Sequence, residues 1–163
     1  NMIRRASREV EVETSDRLAG EHVRLISEFL ASRELSQDMR YIYERIPAYV
    51  AAVPTVRVVG ARSRTGELVA FDVVDFGARD YAFYQFNFRS KQANVPGASD
   101  LLLYTVAEAA RLDGKAFLNL GLGIHTGVVH FKEKWGGTPF LAYEYCRYAP
   151  GRPGLFELLL RNL

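Results

Sequence analysis

A single cysteine, Cys146, stands in the whole chain. No disulfide can therefore form within it, and metal sites built on paired cysteines are excluded. Cys146 falls in the apolar run 141–148 and reads as a small buried hydrophobe. No stretch approaches the ~18 consecutive apolar residues that a membrane span requires. The polar, charged N-terminus also lacks the apolar segment of a secretory signal, so a cytoplasmic protein is expected. Nor is charge of one sign in excess. The 21 Lys and Arg against 19 Asp and Glu leave a net charge of +2, too little for the concentrated basic stripe of a nucleic-acid binder. The one local excess, Arg4, Arg5 and Arg8, reads as a solvated, frayed terminus. Internal repeats, low-complexity tracts and linkers are missing too. Asn1 ahead of Met2 reads as the remnant of an expression tag, which leaves room for a longer natural chain.

What is present is the composition of a globular protein: 48% hydrophobic and 25% charged residues, with ten Phe and nine Tyr to fill a core. At 163 residues the chain is expected to form one domain over 1–163. Leu18, His22, Leu25, Ile26, Phe29 and Leu30 recur at helical spacing, which predicts a first helix over about 16–32, capped by Thr14, Ser15 or Asp16. Met39, Ile42, Tyr43, Ile46 and Val50 form a second apolar stripe after Ser36 and Asp38. Pro47 is expected to end or kink it, because proline has no N–H to give.

The period then changes. Val56, Val58 and Val59 lead through the turn Arg64-Thr65-Gly66-Glu67 to a return strand over 68–76, a hairpin. A third strand over 81–88 alternates Ala82, Tyr84, Phe86 and Phe88 on one face with Tyr81, Phe83, Gln85 and Asn87 on the other. Leu102, Leu103, Val106, Ala109 and Ala110 mark a helix stopped by Gly114. A short strand over 116–120 is continuously apolar, as strands buried on both faces are. A helix over 126–135 ends at Gly136-Gly137, an aromatic strand covers 140–148, and a short helix follows Pro153. The order ααβββαβαβα is an α/β (α+β) arrangement: a mixed, mostly antiparallel central sheet with helices on both faces. The unit from Tyr81 to Leu120 should be a right-handed crossover.

The turn Asn94-Val95-Pro96-Gly97-Ala98-Ser99 carries the most chemistry. A helix start offers free N–H groups and partial positive charge to an anion. Gly97 lets backbone approach a ligand, Ala98 and Ser99 do not obstruct it, and Asn94 can donate a side-chain hydrogen bond. A pyrophosphate would suit it; a plain capped helix start, with Ser99 or Asp100 as the cap, is equally written in these residues. Asp72 and Asp75, three apart on a strand, should point to opposite faces, so at most one faces a cleft there. Asn119, an amide in an apolar strand, either pairs with neighbouring backbone or reaches a ligand. Lys132 and Lys134 diverge on their helix and could equally be a solvated charged face. His130 reads as a helix-face residue.

The 94–99 stretch resembles the coenzyme A pyrophosphate loop of the GNAT superfamily, with Asn in place of the usual first residue and Ser in place of the last. The element order agrees over nearly the whole chain. Within that superfamily, Asn119-Leu120-Gly121-Leu122-Gly123 followed by Val128-Val129-His130-Phe131-Lys132-Glu133-Lys134-Trp135-Gly136 is similar to the FemABX-like aminoacyl transferases and the C-terminal domains of phosphatidylglycerol lysyltransferases. The resemblance implies a GNAT fold and an N-acyltransferase moving an acyl group from acetyl-CoA or another acyl-CoA to an amine, with no metal. It implies pantetheine pairing with strand backbone at Phe86, Asn87 and Phe88, and a diphosphate held by Asn94, Val95, Gly97, Ala98 and Ser99.

Two family features are missing. Lys132 stands where a general-acid Tyr is usual, which favours a phosphate- or carboxylate-bearing ligand near it and leaves Tyr84 or Tyr104 as substitutes. The Glu that often serves as base on the fourth strand has no counterpart, since Gln85 and Asn87 take no proton. His125, directly after the strand beside which the thioester should lie, has the ordinary pKa of about 6.5 that suits a base, and an exposed loop histidine is its plainer reading. The expected catalytic set is thus His125, Lys132, Asn119 and Tyr84. Two other outcomes are written in the same residues: aminoacyl-tRNA-dependent transfer, and a non-catalytic ligand-binding module of the same fold. A homodimer is open to the chain.

Overall fold

The computed structural model describes residues 2–123 and 126–140. The chain divides into two compact units, Asn1–Ile124 and His125–Leu163. In the first, the order is α1 (Met2–Glu9), β1 (Val10–Ser15), α2 (Gly20–Ala31), α3 (Gln37–Ala52), β2 (Val56–Ser63), β3 (Leu68–Asp75), β4 (Tyr81–Arg89), α4 (Ala98–Leu112) and β5 (Phe117–Asn119). The five strands lie in the order β1-β2-β3-β4-β5. The first three pairings are antiparallel and β4 pairs with β5 in parallel, as a crossover through α4 requires. The described part of the second unit is α5 (Thr126–Lys134), closed by Gly136 at φ +74°. Among the described residues no helix is long and apolar enough to cross a membrane. The expected strand over 141–148, the helix after Pro153 and Cys146 lie outside the described residues.

The N-terminus departs from expectation. It is not frayed: Ile3, Ala6 and Val10 repeat at helical spacing, Ala6 is fully buried, and α1 packs against α4. Arg4, Arg5 and Arg8 take the solvated side. Of the residues expected to cap the first helix, Thr14 and Ser15 instead belong to β1, and α2 starts at Gly20. There the backbone N–H of Ala19 donates to His22 Nδ1 at 3.1 Å. His22 is buried edge-on against Phe71, and desolvation holds its pKa down, so the ring is neutral and Nδ1 can accept. Arg62 on β2 pairs with Glu13 (2.7 Å) and Glu21, tying β1 to β2 and α2.

Pro47 neither ends nor starts a helix; α3 runs through it to Ala52. The missing hydrogen bond is tolerated because Ile46 and Val50 on either side are buried in the core. The Ser36 cap is as expected, its hydroxyl accepting from Met39 N–H at 3.3 Å.

Two layers cover the sheet. Leu25, Ile26, Ile46 and Val50 of α2 and α3 pack on Phe71, Val73 and Phe88, the last two rings of Phe71 and Phe88 stacked at 4.9 Å. The alternate residues Ala70, Asp72 and Val74 face α4, whose Leu102, Val106 and Ala110 are buried against them. Burying one such apolar side chain is worth about 1.5–3 kcal/mol. The short β5 corrects the reading of a strand buried on both faces: Phe117 is 55% exposed, and β5 is an edge strand among the described residues, as β1 is at the other side.

Candidate functional site

The geometry of the site begins with a fault in a ladder. Val73 pairs with Phe86 and Val74 with Tyr84, so Gln85 has no partner and β4 carries a β-bulge. The strict alternation expected along 81–88 is thereby broken. Phe86 and Phe88 pack with the core under α2 and α3, whereas Tyr84 crosses to the α4 face. Gln85 turns toward α3, where its Nε2 donates to Tyr49 Oη at 3.0 Å.

Past the bulge, Tyr84 and Asn87, nominally on opposite faces, converge on one carboxylate. Tyr84 Oη and Asn87 Nδ2 donate to Asp72 Oδ1 at 2.9 and 2.7 Å. Ser99 Oγ, in the first turn of α4, donates in turn to Asn87 Oδ1 at 3.4 Å. Asp72 is fully buried and its Oδ2 has no hydrogen-bond partner. Burial pushes its pKa up to about 7, against the lowering effect of the Asn87 and Tyr84 bonds. Burial, then the neighbouring Asp72, raises the Tyr84 hydroxyl well above its usual range, so it stays a donor. Asp75 points the other way, as its spacing from Asp72 requires. Burial raises its pKa, but bonds from Thr55 Oγ1 (2.7 Å), Gly77 N–H (2.8 Å) and Tyr49 Oη (3.0 Å) outweigh this and leave it lowered.

β5 pairs with β4 only at Tyr81, Ala82 and Phe83. Among the described residues, β4 from Tyr84 onward therefore has one edge without a neighbouring strand. Two clefts follow this stretch. The first, about 500 Å³, lies between α3 and β4 and is lined by Tyr41, Ile42, Arg45, Ile46, Tyr49, residues 83–86, Asn119 and Gly121. It is predominantly apolar. The second, about 370 Å³, lies between the end of α2 and the β4–α4 loop and is lined by Arg33, Arg89, Lys91, Asn94, Ser32 and Ser90 with Asn87, Glu28 and Phe29. Arg33 rests over the Phe29 ring at 4.6 Å, and Arg89 Nη2 donates to Asn94 Oδ1 at 2.7 Å. Glu28 is drawn toward Arg24 at 3.6 Å.

Of the residues expected at the site, Asn94, Asn119, Phe86, Asn87 and Tyr84 line these clefts. Asn119 Oδ1 accepts from Gly121 N–H at 2.8 Å, which leaves its amide hydrogens to offer. The hydroxyl of Tyr84 is committed to Asp72, so its share of the cleft is the strand backbone beside the bulge. Phe88 is buried in the core. Gly97 is the N-cap of α4, at φ +85°, in place of Ser99 or Asp100. A Cβ there would stand 2.8 Å from the Met2 carbonyl oxygen, so the close approach it permits is that of α1. Ala98 is fully buried, its N–H donating to Val95 O at 3.2 Å. Tyr104 is 45% exposed on α4. Lys132 lies on α5 of the second unit, where burial lowers its pKa. His125 lies outside the described residues.

The reading by periodicity passed over Tyr49, Arg45 and the cations Arg33, Arg89 and Lys91. Tyr41, Arg45 and Tyr49 stand four apart and so share a helix face, a signal open to sequence inspection. Arg33 joins Arg89 and Lys91 only because α2 ends above β4.

No family model matches the chain, and no curated protein matches it in sequence. Solved structures do. The ribosomal-protein-alanine N-acetyltransferase of Brucella melitensis biovar Abortus 2308 superposes with a TM-score of 0.66 at 14% identity, over 86% of this chain and 99% of that one. An aminoglycoside N-acetyltransferase in complex with CoA gives 0.58 at 14% identity, over 85% and 99%. An aminoglycoside 6'-N-acetyltransferase of Acinetobacter baumannii gives 0.57 at 14%, over 87% and 99%. At these identities the likeness is one of fold: the chain has the acyl-CoA N-acyltransferase (GNAT) fold.

Proposed function

We propose that this chain is an N-acyltransferase that moves an acyl group from acyl-CoA, acetyl-CoA in the simplest case, to an amine. The observation that carries the reading is the pair of clefts along β4, whose edge away from β3 has no neighbouring strand from Tyr84 onward among the described residues; the first cleft is apolar around 83–86 and the second cationic at Arg89, Lys91 and Arg33. That sequence of environments suits a molecule with a thioester on a slender arm at one end and phosphates at the other. Such a donor supplies an activated acyl group: the C–N bond forms as the C–S bond breaks, the sulfur leaving as thiolate and the nitrogen shedding a proton.

The chain's own residues position and polarise. Backbone N–H and C=O groups of Phe86, Asn87 and Phe88 can pair an extended amide-bearing arm as an added strand. Arg33, Arg89, Lys91 and Asn94 offer charge and donors to phosphate. The N–H groups of Gly97, the N-cap, and of Ser99, in the first turn of α4, lie at the helix start, where donors lack intrahelical acceptors. The amide hydrogens of Asn119 can meet the carbonyl oxygen as it gains charge. Among the described residues no Asp, Glu or His lines the apolar cleft, and what these residues contribute there is mainly alignment of amine and thioester.

Isothermal titration with acetyl-CoA tests the reading. Micromolar to submillimolar binding is expected, and Arg89→Met with Lys91→Met should weaken it about tenfold or more, most at low salt. Absence of binding by acetyl-CoA and longer acyl-CoA at millimolar concentration overturns it. Salt-dependent tRNA binding in place of acyl-CoA binding would move the reading to aminoacyl-tRNA-dependent transfer.

A further inference from the structure

We propose that the apolar cleft between α3 and β4 receives a small apolar amine that also bears a carboxylate, a free hydrophobic α-amino acid being the simplest member, with its nitrogen at Tyr49 Oη and its carboxylate at Arg45. The proposal rests on the acyl-transfer reading and names the acceptor class for that site.

The direction of one hydrogen-bond chain selects the nitrogen. Asp75 is held ionised by Thr55, Gly77 and Tyr49, and a carboxylate only accepts. Tyr49 must therefore spend its single proton on Asp75. Its oxygen then takes a hydrogen from Gln85 Nε2 and has accepting capacity left on the side of the cleft. A hydroxyl locked in this way cannot donate to a carbonyl or an acid; it welcomes an N–H. The bulge at Gln85 is what aims that amide at Tyr49.

Arg45 sits one helical turn before Tyr49, on the same face of α3, with its guanidinium 5.0 Å from the centre of the Tyr41 ring. The stacking steadies the cation beside the cleft that it lines, and among the described lining residues no carboxylate opposes it. Two acids of this region have other partners: Glu44 lies 3.9 Å from Arg40 on α3, and Asp75 accepts from Tyr49 Oη. One turn of helix, about 5.4 Å, separates the amine acceptor from the cation, and long side chains can close that to the span of an amino acid. Ile42, Ile46, Phe83 and Phe86 supply the apolar wall. A polyamine or other polycation would meet Arg45 where it needs carboxylates.

The test is direct titration of the protein with L-phenylalanine, L-leucine, 2-phenylethylamine and spermidine, followed by calorimetry or thermal shift, with acetyl-CoA titrated in parallel. L-Phenylalanine and L-leucine are expected to bind about tenfold or more tightly than 2-phenylethylamine, and spermidine weakest. Arg45→Met should erase the difference between L-phenylalanine and 2-phenylethylamine, Arg45→Lys should restore part of it, and Tyr49→Phe should weaken both about fivefold. Spermidine binding as tightly as L-phenylalanine, or an Arg45→Met protein that keeps the preference, overturns the proposal while acetyl-CoA binding leaves the transferase reading standing. Arg45-dependent amino-acid binding without acetyl-CoA binding does the reverse.

Discussion

Asp72→Asn is expected to make the protein more stable to urea at pH 8, by roughly 2–4 kcal/mol, and to flatten its pH dependence between pH 4 and 7. The reason is a carboxyl with about 7 as its pKa in the fold, against roughly 3.9 in the unfolded chain. Below pH 4 both states hold the proton and Asp72 carries no penalty. As pH rises toward 7 the unfolded chain has released the proton while the fold still binds it, so stability falls. Above 7 the fold must bury a charge whose Oδ2 has no partner. At ~1.4 kcal/mol per tenfold difference in proton affinity the penalty approaches about 4 kcal/mol, and the unpaired amide hydrogens of the Asn offset some of the gain. Tyr84 and Asn87 can donate to an Asn oxygen as they do to Oδ1. Urea unfolding midpoints of both proteins from pH 4.5 to 8 measure it. Parallel curves would show that the fold accommodates an ionised Asp72 without penalty.

Gly97→Ala is expected to lower stability by about 3–5 kcal/mol, whereas Gly114→Ala lowers it by about 1 kcal/mol. Both glycines have positive φ, +85° and +73°, and share the strain of placing a Cβ in the left-handed region. They differ in what the Cβ would meet. At Gly114 there is nothing within 4 Å; at Gly97 the Met2 carbonyl oxygen stands at 2.8 Å and its carbon at 3.2 Å. Backbone atoms cannot rotate aside as a side-chain end can, so α1 must lift from α4 or the first turn of α4 must shift. That turn carries Ser99 and its bond to Asn87, so acetyl-CoA affinity should fall with stability. Equal losses in thermal or urea unfolding for the two variants would mean that α1 is not seated on the turn.

Local signals carried much of the fold. The hairpin of β2 and β3 was legible because alternating apolar residues flank a turn with Gly66, which adopts φ +84°. The stripe of Leu102, Val106 and Ala110 and the stop at Gly114 marked α4, and Ser36 marked the start of α3. The 94–99 turn was legible as a helix start, and its place after β4 led to the GNAT fold. By contrast α1 hid behind three arginines, since one buried Ala6 between them is a weak stripe until α4 lies beside it. Pro47 does not end α3, because a local rule about a lost hydrogen bond ignores what Ile46 and Val50 gain by burial.

The amino-acid order by itself determined the types of the elements from α2 to α5, the strand–helix–strand crossover and the turn at a helix start, because each depends on neighbours a few residues away. Tertiary structure alone decided which side chains meet. The unpaired Gln85 exists only in the register of β4 against β3, and it is this that sends Tyr84 and Asn87 together onto Asp72 and turns Gln85 to Tyr49. Asp72 gains its raised pKa only by losing water under α4, and Arg33 reaches Arg89 and Lys91 only when α2 is laid across the sheet. Desolvation and register are properties of packed neighbours 12 or more residues apart, beyond the few positions that a helical or strand period relates.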